Sequence, residues 1–241
     1  MDARQEGNDR PSGPSYGSSG WEEEFRKKGR IWGDTPGELA GIALALMKKS
    51  SLCTENYTFL DLGCGYGRDS LYIARNCRIS VYGIDTSATA IETARESAVE
   101  LGLNPGMFNC GNFLTCPDLP DATVVYSSNV YQVLGPDERA GFRDRVRAAI
   151  RREGVFFMST LSVDDPEHAG KGTAVAGEAN SIIEPGTRKY LHLCTREELA
   201  RDFAFLKIAD LSELEYIEPR TGGDHHHRSW ILTGYGQEND R

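Results

Sequence analysis

The sequence predicts an α/β protein built on a doubly wound, mainly parallel sheet. Three observations carry this expectation. Short apolar runs alternate with helical patterns between Thr58 and Thr160. A glycine-rich loop directly follows the first of those runs, and an acid ends the second.

The elements can be justified in chain order. Residues 1–20 hold four Gly, four Ser and two Pro with almost nothing apolar, so they are expected to form a disordered tail. Residues 21–241 read as one domain, with 21–50 as a helical cap. Thr35-Pro36-Gly37-Glu38 reads as a helix start, with Thr35 as N-cap and Pro36 in the first turn. That helix is expected to reach Lys49 and to bury Leu39, Ile42, Ala43 and Leu46. Strands follow at Thr58–Leu62, Ile79–Ile84, around Phe108, at Thr123–Tyr126 and at Val155–Thr160. Helices fall between them at Ser70–Asn76, Ser87–Leu101 and Pro136–Arg152. Residues 161–194 are too long for a plain connection and read as a substrate-covering insertion, anchored by Ile182, Ile183 and Tyr190. Thr195-Arg196-Glu197-Glu198 is a capping box that opens a helix to about Phe203. Phe205–Leu214 and Ser229–Tyr235 are expected to close the chain as an antiparallel hairpin after a Gly-Gly turn.

Composition narrows the function classes. The 241 residues carry 36 acidic and 27 basic side chains, a formal charge of −9. That balance, with a pI near 5.1, argues against nucleic-acid binding through phosphate neutralisation. No apolar run is long enough to span a bilayer, and the N-terminus lacks the apolar core of a secretory signal. The six cysteines include no C-x-x-C pair and are expected to be reduced thiols of a cytoplasmic protein.

The informative segment is Leu60-Asp61-Leu62-Gly63-Cys64-Gly65-Tyr66-Gly67-Arg68-Asp69-Ser70. A strand ends, glycines alternate, and a helix starts. A dinucleotide fingerprint G-x-G-x-x-G would need a third glycine where this chain has Arg68 or Ser70, depending on the frame. Asp85 lies 18 residues after Gly67 at the tip of the second strand. Alone it reads equally as the N-cap of the following helix. Paired with a glycine loop at this spacing, it reads as an acceptor for the hydroxyls of a ribose.

These motifs resemble those of the class I S-adenosylmethionine-dependent methyltransferases. Residues 60–69 are similar to that family's first motif, and Gly83-Ile84-Asp85 to its second. The Gly-Arg-Asp-Ser run is similar to the small-molecule branch that includes tellurite-resistance and thiopurine methyltransferases. The resemblance implies a Rossmann-like seven-stranded sheet, S-adenosylmethionine as cofactor and S-adenosylhomocysteine as product. It implies that Gly63, Gly65 and Gly67 line the methionine and ribose, that Asp61 organises the loop and that Asp85 holds the ribose. Asn112 stands where the family often has an acid for the adenine amine, and Phe113 is positioned to pack on the adenine. Ser128 and Tyr131 occupy the place of residues near the transferred methyl, and Trp32 is a candidate lid.

The histidines offer acid–base chemistry. If the acceptor must lose a proton, a neutral His168, His192 or a member of the His225–His227 cluster is the natural base. On a strand, His225 and His227 share a face, which reads as an exposed edge, a substrate pocket or a metal or artefactual cluster. With no local ligand besides Asp224, no metal is expected. The implied reaction is methyl transfer to a small-molecule acceptor, with Tyr131, His192 and His227 as catalytic candidates. A protein side-chain methyltransferase and a non-catalytic cofactor-binding module are the rivals.

Overall fold

Adjacent residues of the central strands are buried on opposite faces, which is the signature of a sheet covered on both sides. The structure, a computed structural model, describes residues 19–218 and 224–237. The tail expected over 1–20 lies outside them except at Ser19 and Gly20, which already belong to helix α1 (Ser19–Lys28). The Gly-Gly turn at 222–223 also lies outside the described residues.

The chain continues through α2 (Glu38–Lys49), β1 (Thr58–Leu62), α3 (Arg68–Asn76), β2 (Ser80–Asp85), α4 (Ala88–Glu100) and β3 (Phe108–Cys110). Next come β4 (Ala122–Ser128), α5 (Pro136–Ala149) and β5 (Ile150–Leu161). The 161–194 segment holds three short strands, β6 (Thr173–Ala174), β7 (Ser181–Ile183) and β8 (Tyr190–His192), paired antiparallel as a separate small sheet. Helix α6 (Arg196–Asp202) leads into β9 (Leu206–Glu218) and β10 (His225–Gly236).

The seven-stranded sheet has the order β3-β2-β1-β4-β5-β10-β9. Strands β1 to β5 run parallel, while β10 is antiparallel to both neighbours. Leu60 pairs with Tyr82 on one side and Val125 on the other, which fixes β1 at the centre. Leu60, Val125 and Phe156 pack under α5 and α6 with Phe142 and Phe203. Phe59, Val124 and Phe157 pack on the opposite face under α2 and α3 with Leu39 and Met47. The order reverses between β1 and β4, so the loops after β1, β2 and β4 open on one edge, where ligands of such sheets bind.

Three local expectations are corrected. Helix α2 is capped at Gly37 rather than Thr35. The buried Asp69 carboxylate accepts the Gly37 N–H at 2.8 Å and the Tyr126 hydroxyl at 2.7 Å, so a tertiary acceptor replaces the local threonine cap. Consequently α2 buries Leu39, Ala40, Ala43, Leu44 and Met47, and Ile42 is 39% exposed. Cys53 and Cys77 form a disulfide, with Cα atoms 4.8 Å apart, against the expectation of six thiols. The packing of α2 on α3 brings the two residues together, and their separation of 24 residues gave no local motif.

Candidate active site

The glycine loop is shaped by backbone that only glycine adopts freely. Gly63 has φ of +78°, and a Cβ there would lie 2.4 Å from Val130 Cγ2. Gly67 has φ of +77°, caps α3, and would drive a Cβ to 2.7 Å from Phe108 Cζ. The loop is thereby held flat against β2 and β4, with Gly63 and Gly65 bordering a cavity of about 640 Å³. Gly67 does not border it. Its role is to seat α3 against Phe108 and Ala94, which corrects its expected place at the cofactor.

Asp85 reaches back to the loop. Gly65 N donates to its Oδ2 and Ser87 N to its Oδ1, both at 2.9 Å. The N-cap of α4 is Ser87, whose hydroxyl accepts from Ala90 N, so Asp85 is released from the capping role. Burial pushes the Asp85 carboxyl above the usual range, opposed by these backbone N–H groups. Asp61 is deeper still. Burial pushes its carboxyl up to about 8, with Asp69 and Asp85 acting in the same direction and the Ser70 hydroxyl opposing them at 2.6 Å.

An aromatic wall stands over the loop. Trp32 stacks on Tyr66, ring centroids 6.2 Å apart and planes at 16°, with Trp21 and Phe25 beside them. The Tyr66 hydroxyl donates to Gly33 O and accepts from Trp32 N, so Trp32 is pinned above the glycines. Glu22 of α1 accepts from Ser87 and Thr89 hydroxyls at 2.6 Å and holds the cap against α4. Neither Tyr66 nor Glu22 was legible beforehand, because nothing in their local sequence distinguishes a tertiary partner from a surface residue.

Across the loop, Asn112 and Phe113 border the cavity. The Asn112 side-chain oxygen accepts from Leu114 N at 2.8 Å and keeps a second lone pair. Phe113 packs edge-on against Phe142 and is wall and core at once. Ser128 borders the cavity with its hydroxyl 3.1 Å from that of Ser159.

Two expected catalytic residues are elsewhere. Tyr131 is fully buried away from the cavity, donating its hydroxyl to Asp202 at 2.8 Å and accepting from Arg143 at 2.9 Å. The turn after β4 rotates it into the α5–α6 core. His192 is buried between Ser181 Oγ at 2.9 Å and Glu198 Oε1 at 2.7 Å. It joins Tyr190 and Arg139 in fastening the insertion to the domain. The capping-box glutamate is thus spent on His192, while Thr195 still caps α6.

His227 does border the cavity, beside His168, Tyr216 and Glu218. Its ring lies between Asp165 and Glu218, at 3.1 and 3.2 Å. Burial alone would lower the pKa of His227, but Asp165 and Glu218 outweigh it and raise it. His168, between Asp165 and Glu184, is raised in the same way to about 9. The expectation of a neutral histidine base is corrected: the flanking carboxylates favour the protonated form of both rings. Lys189, from the insertion, pairs with Glu24 and lies 3.7 Å over the Trp21 ring, bridging insertion and cap at the cavity wall.

Comparisons with known proteins agree with this geometry. Residues 59–154 match the family model described as "Methyltransferase domain". Carboxy-S-adenosyl-L-methionine synthase of Campylobacter jejuni is 27% identical over 128 residues, 51% of this chain and 49% of that protein. The chain thus matches about half the length of its curated relatives. A structure from work on the conversion of a disulfide bond into a thioacetal group during echinomycin biosynthesis superposes with TM-score 0.67 and 20% identity, over 91% of this chain and 93% of that one. Burkholderia thailandensis 1,6-didemethyltoxoflavin-N1-methyltransferase, solved with 1,6-didemethyltoxoflavin and S-adenosylhomocysteine, gives TM-score 0.61 and 16% identity, over 91% and 88%. No helix among the described residues is long and apolar enough to cross a membrane. The domain match runs from β1 into β5, and the sheet continues beyond it to β10 in the fold of the superposed structures, so residues 59–154 are similar to a methyltransferase domain.

Proposed function

We propose that the protein transfers the methyl group of S-adenosylmethionine to a small-molecule acceptor. One observation carries this reading: a single cavity runs from Gly63, Gly65 and Asp85 to a separate wall of Ser128, Tyr216 and His227. Its volume of about 640 Å³ is that of a small-molecule site. A bound S-adenosylmethionine supplies an electrophilic methyl on its sulfonium. Gly63 and Gly65 let it approach the backbone, Asp85 offers carboxylate lone pairs to the ribose, and Asn112 and Phe113 suit the adenine. Asp61 offers a carboxyl oxygen to the amino group of the methionine part, whose positive charge would favour the ionised carboxylate.

Chemistry on the acceptor side then depends on alignment and exclusion of water, which can supply about 7–11 kcal/mol without a dedicated base. Trp32, the Lys189–Glu24 bridge and the insertion enclose the cavity for that purpose. His168 and His227 give both ring nitrogens to carboxylates, so they shape the acceptor wall rather than deprotonate the acceptor. The toxoflavin enzyme, whose bound acceptor is a small heterocycle, supports the acceptor class. The localisation read from the sequence, cytoplasmic, remains part of this proposal.

The test is calorimetric binding of S-adenosylhomocysteine, followed by transfer of a labelled methyl group from S-adenosylmethionine into low-mass and protein fractions of a cell extract. Label in the low-mass fraction supports the reading. Label in protein alone replaces it with side-chain methylation, and tight binding with no label in either favours the non-catalytic module.

A further inference from the structure

Behind the acceptor wall lies a buried carboxylate, Asp165, that the methyl-transfer reading does not use. Asp165 is wholly buried between two stacked imidazoles, one from the insertion and one from β10. Its Oδ1 is 2.7 Å from His168 Nδ1 and its Oδ2 is 3.1 Å from His227 Nδ1. One ligating atom from each of the three residues lies within 4.8 Å of the others. Backbone N–H groups of Glu167, His168 and Arg228 donate to the same carboxylate at 3.0, 3.1 and 2.8 Å and fix its orientation.

A second observation points the same way. The remaining ring nitrogen of each histidine faces its own glutamate: His168 Nε2 is 3.3 Å from Glu184 Oε1, and His227 Nε2 is 3.2 Å from Glu218 Oε2. Histidines that ligate a metal through one nitrogen almost always give the other N–H to a carboxylate or carbonyl, which fixes the ring and raises its basicity. Here that arrangement occurs twice, on separate segments, with both inner nitrogens converging on one carboxylate. Three carboxylates around two imidazoles also leave the pocket with negative charge for a dication to balance.

We propose that Asp165, His168 and His227 bind a divalent first-row transition-metal ion through the Asp165 carboxylate and both Nδ1 atoms, the ion displacing the Nδ1 protons to solvent. Two imidazoles and one carboxylate suit Zn²⁺, Fe²⁺, Co²⁺ or Ni²⁺ rather than Mg²⁺ or Ca²⁺. Three protein ligands leave a further position for water. The two rings border the cavity and Asp165 does not, so the ion lies behind the acceptor wall. Its effect there is to clip the insertion to β10, fixing the wall that the acceptor meets. The proposal stands whether or not the cavity carries out methyl transfer.

The experiment uses untagged full-length protein freed of metal with a chelator. Zn²⁺ is titrated by calorimetry and Co²⁺ by its visible absorption, and folding of each variant is followed by circular dichroism. The expected result is one ion per chain with a Co²⁺ spectrum of low-symmetry nitrogen and oxygen coordination. His168→Gln and His227→Gln should each abolish saturable binding. Glu184→Gln and Glu218→Gln should weaken it by about 10–100-fold. If His227→Gln does not fold, His168→Gln and the two glutamate variants carry the test. A His225→Gln/His226→Gln double variant and Cys110→Ser should bind as the parent does. Absence of saturable Zn²⁺ and Co²⁺ binding by the parent overturns the proposal. So does binding that survives His168→Gln but is lost in the His225/His226 double variant, since the ion would then belong to the neighbouring histidines.

Discussion

Replacing Asp85 with alanine should weaken S-adenosylhomocysteine binding by about 10- to 150-fold. The range follows from one hydrogen bond to a charged acceptor, worth about 1.5–3 kcal/mol, with about 1.4 kcal/mol per factor of ten. The structure adds a second cost. Asp85 also takes the N–H groups of Gly65 and Ser87, each at 2.9 Å, so the alanine variant leaves both without their acceptor. Water reaches this half-buried site, so the stability loss should be about 1–3 kcal/mol, a few degrees in Tm. Asp85→Asn separates the two effects, because its one carbonyl oxygen can keep only one of the two backbone bonds while still facing a ribose hydroxyl. Its amide NH₂ then faces the other backbone N–H, donor against donor, so its stability should fall nearly as far as that of the alanine variant, while its affinity lies between alanine and parent. The assay is isothermal titration calorimetry with S-adenosylhomocysteine at least 10 °C below each variant's Tm, a margin set by the ~2–4 °C per kcal/mol expected for this chain length. An Asp85→Ala protein that melts a few degrees early yet binds with parental affinity would refute the reasoning. The carboxylate would then only tie the loop to α4, and the ribose assignment would go.

Tyr131→Phe should leave cofactor affinity unchanged and cost about 1 kcal/mol in urea unfolding, because its hydroxyl bonds Asp202 and Arg143 outside the cavity. A large loss of affinity with unchanged stability would return Tyr131 to the site. Asp61, raised from 3.8 to about 8 in the folded chain, binds a proton more tightly there than in the unfolded chain. Its contribution to stability is therefore fully present below about pH 4 and is lost as pH rises through about 8. Thermal melts between those limits should show the parent losing stability relative to Asp61→Asn, which keeps an oxygen for the Ser70 hydroxyl; parallel pH curves would contradict this. The Cys53–Cys77 bridge closes a loop of 24 residues, so a Cys53→Ser/Cys77→Ser variant should lose about 3–4 kcal/mol on the loop-entropy estimate, measured against oxidised parent. Equal stability would mean the bridge adds nothing in solution.

The local sequence was enough to place the sheet, its parallel half and the cofactor edge. Glycine at positions 63, 65 and 67 and the acid at 85 are demands of backbone conformation and short-range geometry, and such demands are written in consecutive residues. Periodicity likewise located β1, β2, β4 and the helices between them, because burial on one or two faces leaves a repeat in the chain. What only the tertiary structure decided was which polar side chains meet. Asp69 took over the cap of α2 from Thr35. The turn after β4 sent Tyr131 into the core, and Glu198 drew His192 away from the cavity. Asp165, bonded to His168, met His227 across 62 residues, and Cys53 found Cys77 across 24. Charge pairing and sulfur bridging act at a few ångströms and are indifferent to separation along the chain. They leave no periodic mark in the sequence, and the upward shift of His168 and His227 arose only when folding set carboxylates on both sides of each ring.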